Sequence, residues 1–131
     1  MEVNIFNETF FGSDSRILLV IAHPDDESMF FSPFLLSCAK NGCQVSILCL
    51  SEGDFDGLGS IRKLEILASA DQFLISSQRV VVVNDPLLLD GPLNHWSPER
   101  IAWHIHDAVK QFSVNKIVTF DDNGVSGIII R

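Results

Sequence analysis

The sequence predicts an α/β fold: a Rossmann-like, three-layer arrangement in which a parallel sheet of order about 3-2-1-4 carries helices on both faces. Three observations predict it. Four short, uninterrupted runs of apolar residues rich in branched side chains have the composition of strands buried on both faces. Segments with helical periodicity alternate with those runs, the order that builds a parallel sheet through crossover connections. Hydrophobic residues are 47% and charged residues 20% of a 131-residue chain, which suits one globular core and excludes a disordered segment.

The elements follow in order. Residues 1–15 (MEVNIFNETFFGSDS) form a lead-in without the basic start and sustained apolar stretch of a signal peptide. Arg16–Ala22 (RILLVIA) is the first strand, far short of the roughly 20 apolar residues that a membrane helix requires. Ser32-Pro33 reads as an N-cap followed by proline at the first helical position, and Phe34–Lys40 continues that helix to a stop at Asn41-Gly42. Gln44–Leu50 is the second strand. Ser60 is expected to cap a helix whose apolar stripe is Ile61, Leu64, Leu67 and Ala68. Arg79–Val83 is the third strand. Ser97-Pro98 repeats the cap-plus-proline pattern, and Ile101, Ile105, Ala108, Val109 and Phe112 recur at helical spacing behind it. Lys116–Phe120 is the fourth strand. In the order 3-2-1-4 the winding reverses between the first and fourth strands, and ligands collect at the carboxyl ends of strands beside such a point. The loops after Ala22 and after Phe120 are therefore expected to face each other across a crevice.

Charge and cysteine content narrow the function. Nine Lys+Arg against 17 Asp+Glu give −8 at pH 7, which repels nucleic acid. Cys38, Cys43 and Cys49 are odd in number and contain no CxxC pair, so they read as small hydrophobes in a reducing compartment and as neither a disulfide framework nor a thiolate zinc site. Asn7-Glu8-Thr9 matches the glycosylation sequon, which carries no weight without a secretory route.

The informative stretch is His23-Pro24-Asp25-Asp26-Glu27, directly after the first strand. So many polar groups at the end of a buried strand are expensive unless they bind something. His23 and Asp26 are nitrogen and oxygen donors suited to zinc, and the turn at Pro24 can direct both at one centre. Asp25 lies between them, placed to take a proton from water. The alternative is a solvated acidic loop that caps the next helix. A nucleotide cofactor is excluded, because a phosphate-cradling loop is glycine-rich and three carboxylates would repel a pyrophosphate.

The same run resembles the first block of the PIG-L/LmbE-type zinc deacetylase family. Gly53-Asp54-Phe55-Asp56-Gly57-Leu58-Gly59 with Arg62 and Glu65 resembles its second block, and Thr119-Phe120-Asp121 with Gly124-Val125-Ser126-Gly127 its third. The resemblance implies removal of the N-acetyl group from the glycolipid N-acetylglucosaminyl-phosphatidylinositol, a step of GPI-anchor biosynthesis that yields glucosaminyl-phosphatidylinositol and acetate. It implies zinc, or another divalent metal, on His23 and Asp26, with Asp25 as general base and Arg62 and Asp90 contacting substrate. It places the chain peripherally at the cytoplasmic face of the endoplasmic reticulum membrane. On local pattern alone, Arg62 is equally an exposed partner of Glu65 at i, i+3, and Asp90-Gly91 a turn.

The pattern breaks at the end. Where the family has a catalytic histidine and, three residues on, its third metal-ligating histidine, this chain has Ile128 and Arg131. Isoleucine moves no proton, and a guanidinium offers no lone pair to a metal. His104 and His106, at i, i+2 on one helix, point to different faces and cannot chelate together; His95 is expected to be a surface-loop residue. Two readings follow: a deacetylase, or a truncated, catalytically inactive relative with at most residual headgroup or partner binding. Either way, 1–131 is expected to form one partial deacetylase domain, incomplete at its C-terminal end. The fourth strand would leave an open sheet edge and poor solubility.

Overall fold

The computed structural model describes residues 12–89, 91 and 95–120. Strands β1 (Arg16–Ile21), β2 (Gln44–Cys49), β3 (Val80–Val82) and β4 (Lys116–Val118) form one parallel sheet in the order β3-β2-β1-β4, as the sequence predicts. Leu19 lies opposite Ile47 on one side and Val118 on the other, so β1 is central and pairs along both edges. Each strand stops one or two residues before its apolar run does. Pairing fades rather than breaks there: the Leu50 N–H still donates to the Ile21 carbonyl (2.9 Å) and the Val83 N–H to the Cys49 carbonyl (2.8 Å).

Uninterrupted apolar runs are required because the sheet is covered twice. Ile17, Leu19 and Ile21 of β1 and Val45, Ile47 and Cys49 of β2 face a core closed by Phe34, Leu35, Cys38, Ile66 and Ala70. Leu18, Val20 and Leu48 point the other way, onto a second core with Ala108, Ile101, Ile105, Val109 and Phe112. Successive strand residues alternate between these cores, the period-2 consequence of strand geometry. Cys38 and Cys49 are buried free thiols whose pKa burial pushes up, the behaviour of small hydrophobes; Cys43 is half-buried.

Among the described residues four α-helices flank the sheet: α1 (Asp26–Phe30), α2 (Ser32–Asn41), α3 (Gly59–Gln72) and α4 (Pro98–Phe112). α2 stops where expected, with Gly42 in the left-handed region (φ 73°) and its N–H on the Cys38 carbonyl. α4 starts where expected, the Ser97 hydroxyl accepting from the Arg100 N–H, and its predicted apolar stripe packs on the second core.

Two local expectations fail. Ser32 is not an N-cap, because the unpredicted helix α1 runs almost directly into α2; Phe31 holds that position, and the Ser32 hydroxyl donates back to the Ser28 carbonyl (2.5 Å). Ser60 does not cap α3 either. The Gly59 N–H donates instead to Asp54 Oδ1, five residues upstream (2.7 Å). The stripe is also displaced. Ile66 (1% exposed) and Ala70 (0%), with Phe73, face the core, whereas Ile61 (53%) and Leu64 (69%) face solvent. A 3.6-residue period allows two interleaved apolar sets on α3, and the set at i, i+4, i+7 from Ile66 meets the sheet. Among the described residues, no helix is long and apolar enough to cross a membrane.

Candidate functional site

β1 exits between β2 and β4, so its loop lies where the winding direction changes. The loop from β2 is held against it. The Ser51 hydroxyl donates to the Ala22 carbonyl (2.9 Å) and receives the Gly53 N–H (3.3 Å). Gly53 adopts φ 65°, and a Cβ there would meet Arg62 Nη1 at 3.0 Å and Pro24 Cδ at 3.2 Å. Only glycine combines that dihedral with that approach. From the other side, the Thr119 hydroxyl donates to the Val20 carbonyl (2.8 Å), and the Phe120 ring packs edge-on against Phe30 (5.3 Å) and Phe31 (5.2 Å). The exits of β1, β2 and β4 thus meet, bringing all three motif-bearing segments to one end of the sheet as far as Phe120; the continuation of the third block lies outside the described residues.

Within this meeting point the three acids differ. Asp26 folds back on the strand end, its Oδ2 accepting the N–H groups of Ala22 (3.2 Å) and His23 (3.1 Å). Burial raises its pKa above the usual 3.8, against the lowering effect of those hydrogen bonds and of His23. Glu27 is fully excluded from solvent. Its Oε2 accepts the Asp25 N–H (3.0 Å), while Oε1 makes no hydrogen bond of good geometry among the described residues. Burial raises this carboxyl too. Asp25 is exposed, sits as the N-cap of α1 with φ 90° and ψ −22°, and makes no side-chain cap bond. A non-glycine residue with that backbone stores strain of order 1–3 kcal/mol.

A divalent metal finds two donors at this loop. His23 and Asp26, three positions apart in sequence, supply a nitrogen and a carboxylate close enough for the imidazole to act on the Asp26 carboxyl. A desolvated carboxylate of raised pKa is one that a cation would relieve. These two fit a metal; a third donor is not supplied, since among the described residues no group of three or more His, Cys, Asp or Glu could hold one.

Arg62 stands beside Gly53, but its partner is Asp56 (2.9 Å) and not Glu65. Asp90, Ile128 and Arg131 lie outside the described residues. His95 and His106 are exposed, and His104 turns inward, so the two helical histidines do diverge.

Three features escaped the sequence reading. Glu27 reads in the sequence as one acid among three, because α1, the five-residue helix that buries it, is too short to show a period. Trp96 packs on His23 (ring centroids 5.7 Å) while its indole N–H donates to the Leu89 carbonyl (2.8 Å). Asp85, after β3, accepts Arg100 Nε (2.6 Å) and the Leu87 N–H (2.9 Å) and lies 2.8 Å from His104 Nε2. Those partners, His104 foremost, hold its pKa down at about 2. Nothing local to Asp85 announces partners 15 and 19 residues away.

The chain is similar to known proteins along most of its length. Residues 18–127 match the PIG-L family, described as GlcNAc-PI de-N-acetylase. The chain is 43% identical over 126 residues to the probable N-acetylglucosaminyl-phosphatidylinositol de-N-acetylase of Schizosaccharomyces pombe, a match covering 92% of this chain and 51% of that one. It is 41% identical to the N-acetylglucosaminyl-phosphatidylinositol de-N-acetylase of Bos taurus over 116 residues, 88% of this chain and 46% of that protein. The chain therefore spans about half the length of the curated relatives it matches. Among solved structures, the deacetylase–teicoplanin complex of the teicoplanin biosynthesis pathway superposes with a TM-score of 0.61 at 18% identity, covering 80% of this chain and 57% of that one. That likeness is one of fold.

Proposed function

We propose, from the premise that this chain belongs to the PIG-L family, that it carries the catalytic loop of a hydrolase removing the acetyl group from N-acetylglucosaminyl-phosphatidylinositol in GPI-anchor biosynthesis. The observation that carries this is the meeting of His23, Asp25 and Asp26 at the exit of the central strand, between the exits of β2 and β4. His23 and Asp26 are the two groups that would hold a divalent metal, zinc by donor type. Bound there, such an ion would acidify a water molecule towards neutrality and polarise an amide carbonyl. The chain's own part is proton handling and placement. Asp25, exposed and uncommitted to the helix cap, takes the proton of the attacking water as its oxygen adds to the acetamide carbon. As the C–N bond breaks, that proton passes to the departing nitrogen, leaving the free amine and acetic acid, which gives up the water's second proton to become acetate. Arg62, at the rim beside Gly53, contacts the substrate, and Asp90 accepts its sugar hydroxyls.

The lipid substrate implies a peripheral position at the endoplasmic reticulum membrane, on its cytoplasmic face. A second reading is favoured by one observation: after residue 127, where the family match ends, the sequence reads Ile128-Ile129-Ile130-Arg131, where the resemblance implies histidines at 128 and 131. On that reading the chain is inactive and retains headgroup or partner binding alone. Acetate release from N-acetylglucosaminyl-phosphatidylinositol, assayed with added zinc, separates the two. Turnover that Asp25→Ala abolishes supports the hydrolase; no turnover, with the headgroup still bound, supports the inactive relative.

A further inference from the structure

We propose that Glu27 is the positioning residue of this site: its buried carboxylate holds the Asp25 backbone in the left-handed conformation, and so frees the Asp25 side chain for chemistry. The catalytic meaning of this rests on the reading of Asp25 as the base; the conformational claim stands independently.

Four observations carry it. An N-cap aspartate ordinarily spends its own carboxylate on the free N–H groups of the first helical turn. Asp25 makes no such bond. Its N–H is instead satisfied by Glu27 Oε2 at 3.0 Å, a contact that reaches backwards over two residues. That contact coincides with φ 90° at Asp25, a dihedral that a β-carbon resists and that persists only where the surroundings over-determine it. Finally, Glu27 is the buried residue of α1, at 0% exposure; Oε1 makes no hydrogen bond of good geometry among the described residues, and the Ser69 side chain is the other polar group that acts on this carboxyl. A buried carboxyl is costly to stability, and one whose short hydrogen bond is given to its neighbour's backbone N–H is expected where activity opposes stability.

The three acids thus divide the work. Asp26 closes the turn through the Ala22 and His23 N–H groups, Glu27 fixes the Asp25 backbone, and Asp25 keeps its carboxylate exposed. The spacing is dictated: a residue two positions into the helix can reach the N-cap N–H only if the N-cap backbone turns towards it.

The test is backbone NMR on the whole chain. Wild-type Asp25 should show the strong intraresidue HN–Hα cross-relaxation that marks a positive φ. Glu27→Gln, whose amide oxygen can accept the same N–H, should keep it, and Glu27→Leu should lose it while amides distant from residues 22–30 stay in place. A positive φ retained in Glu27→Leu overturns the proposal, because the turn would then hold Asp25 by itself. If Glu27→Leu does not fold, thermal melting of two Asp25 variants decides. With Glu27 intact, Asp25→Gly should melt above Asp25→Ala, since glycine adopts a positive φ without strain; an equal or lower midpoint overturns the proposal. In acetate release, Glu27→Leu should lower kcat by about 10- to 100-fold with little change in KM, and Glu27→Gln should recover part of that loss. A chain with no turnover defeats the proposed function, while the NMR and melting results still decide the role of Glu27.

Discussion

Two acidic sites lie at the same end of the sheet, and they are built on opposite principles. After β3, Asp85 is satisfied at both oxygens, by Arg100, His104 and the Leu87 N–H, and its pKa is lowered to about 2. After β1, Asp26 and Glu27 are desolvated and raised, one Glu27 oxygen makes no hydrogen bond of good geometry among the described residues, and Asp25 carries a strained backbone. The first is a clamp that ties the β3 loop to α4, with the Arg100 guanidinium lying in turn over the Trp103 ring (4.9 Å). The second is poised, and what it lacks is what a ligand would supply. Charge alone does not distinguish them. Satisfaction does, and an acidic cluster left unsatisfied in a buried setting is the better candidate for function.

Substitutions at the two sites should therefore fail in opposite ways. The largest effect is expected at Asp25. Asp25→Gly should lower acetate release by roughly 10²–10⁴-fold, the usual contribution of a general base. The same change should raise stability by about 1 kcal/mol by relieving the positive φ. Denaturant unfolding together with the acetate assay checks both signs. A loss of stability would place Asp25 in the clamp class. Next, Asp85→Ala should lower the thermal midpoint more than any exposed charge substitution, because it orphans the Leu87 N–H and the Arg100 guanidinium together, while zinc binding at His23 and Asp26 survives in the protein that stays folded.

The pH dependence of stability sharpens the contrast. Asp85 has a folded pKa of about 2 against an ordinary 3.8, so its contribution is complete above 3.8 and is lost as pH falls from there towards 2. Asp85→Asn should flatten that acid limb in unfolding curves measured across the window; an unchanged limb would mean that the clamp does not titrate as built. The smallest effect belongs to Arg62. Its pair with Asp56 is exposed and worth about 0–1 kcal/mol, so Arg62→Ala should leave unfolding nearly unchanged and act mainly by raising KM for the glycolipid.

What the sequence disclosed divides along the same line. β1 and β2 were legible because both faces are buried and their apolar runs are continuous, and α4 because Ser97-Pro98 announces its start and one stripe meets the second core. The position of His23, Asp25 and Asp26 followed from strand order. What stayed hidden was non-local or too short to have a period. α1 has five residues, Asp54 caps α3 from five positions away, and Asp85 finds its partners across a loop and a helix. α3 misled because two apolar sets share one period, and only the sheet decides between Ile66–Ala70 and Ile61–Leu64. Glu27 was visible as a residue and invisible as a function, since its role depends on the Asp25 dihedral.

The most direct test of the central claim is a chemical-shift map of the chain on adding zinc and then a soluble N-acetylglucosaminyl-inositol headgroup. The poised loop is expected to respond, with the changes concentrated at residues 22–27 and at Gly53 and Arg62, and with residues 85–87 and 100–104 undisturbed. Changes centred on Asp85, Arg100 and His104, or a zinc response that survives His23→Ala, would contradict the account.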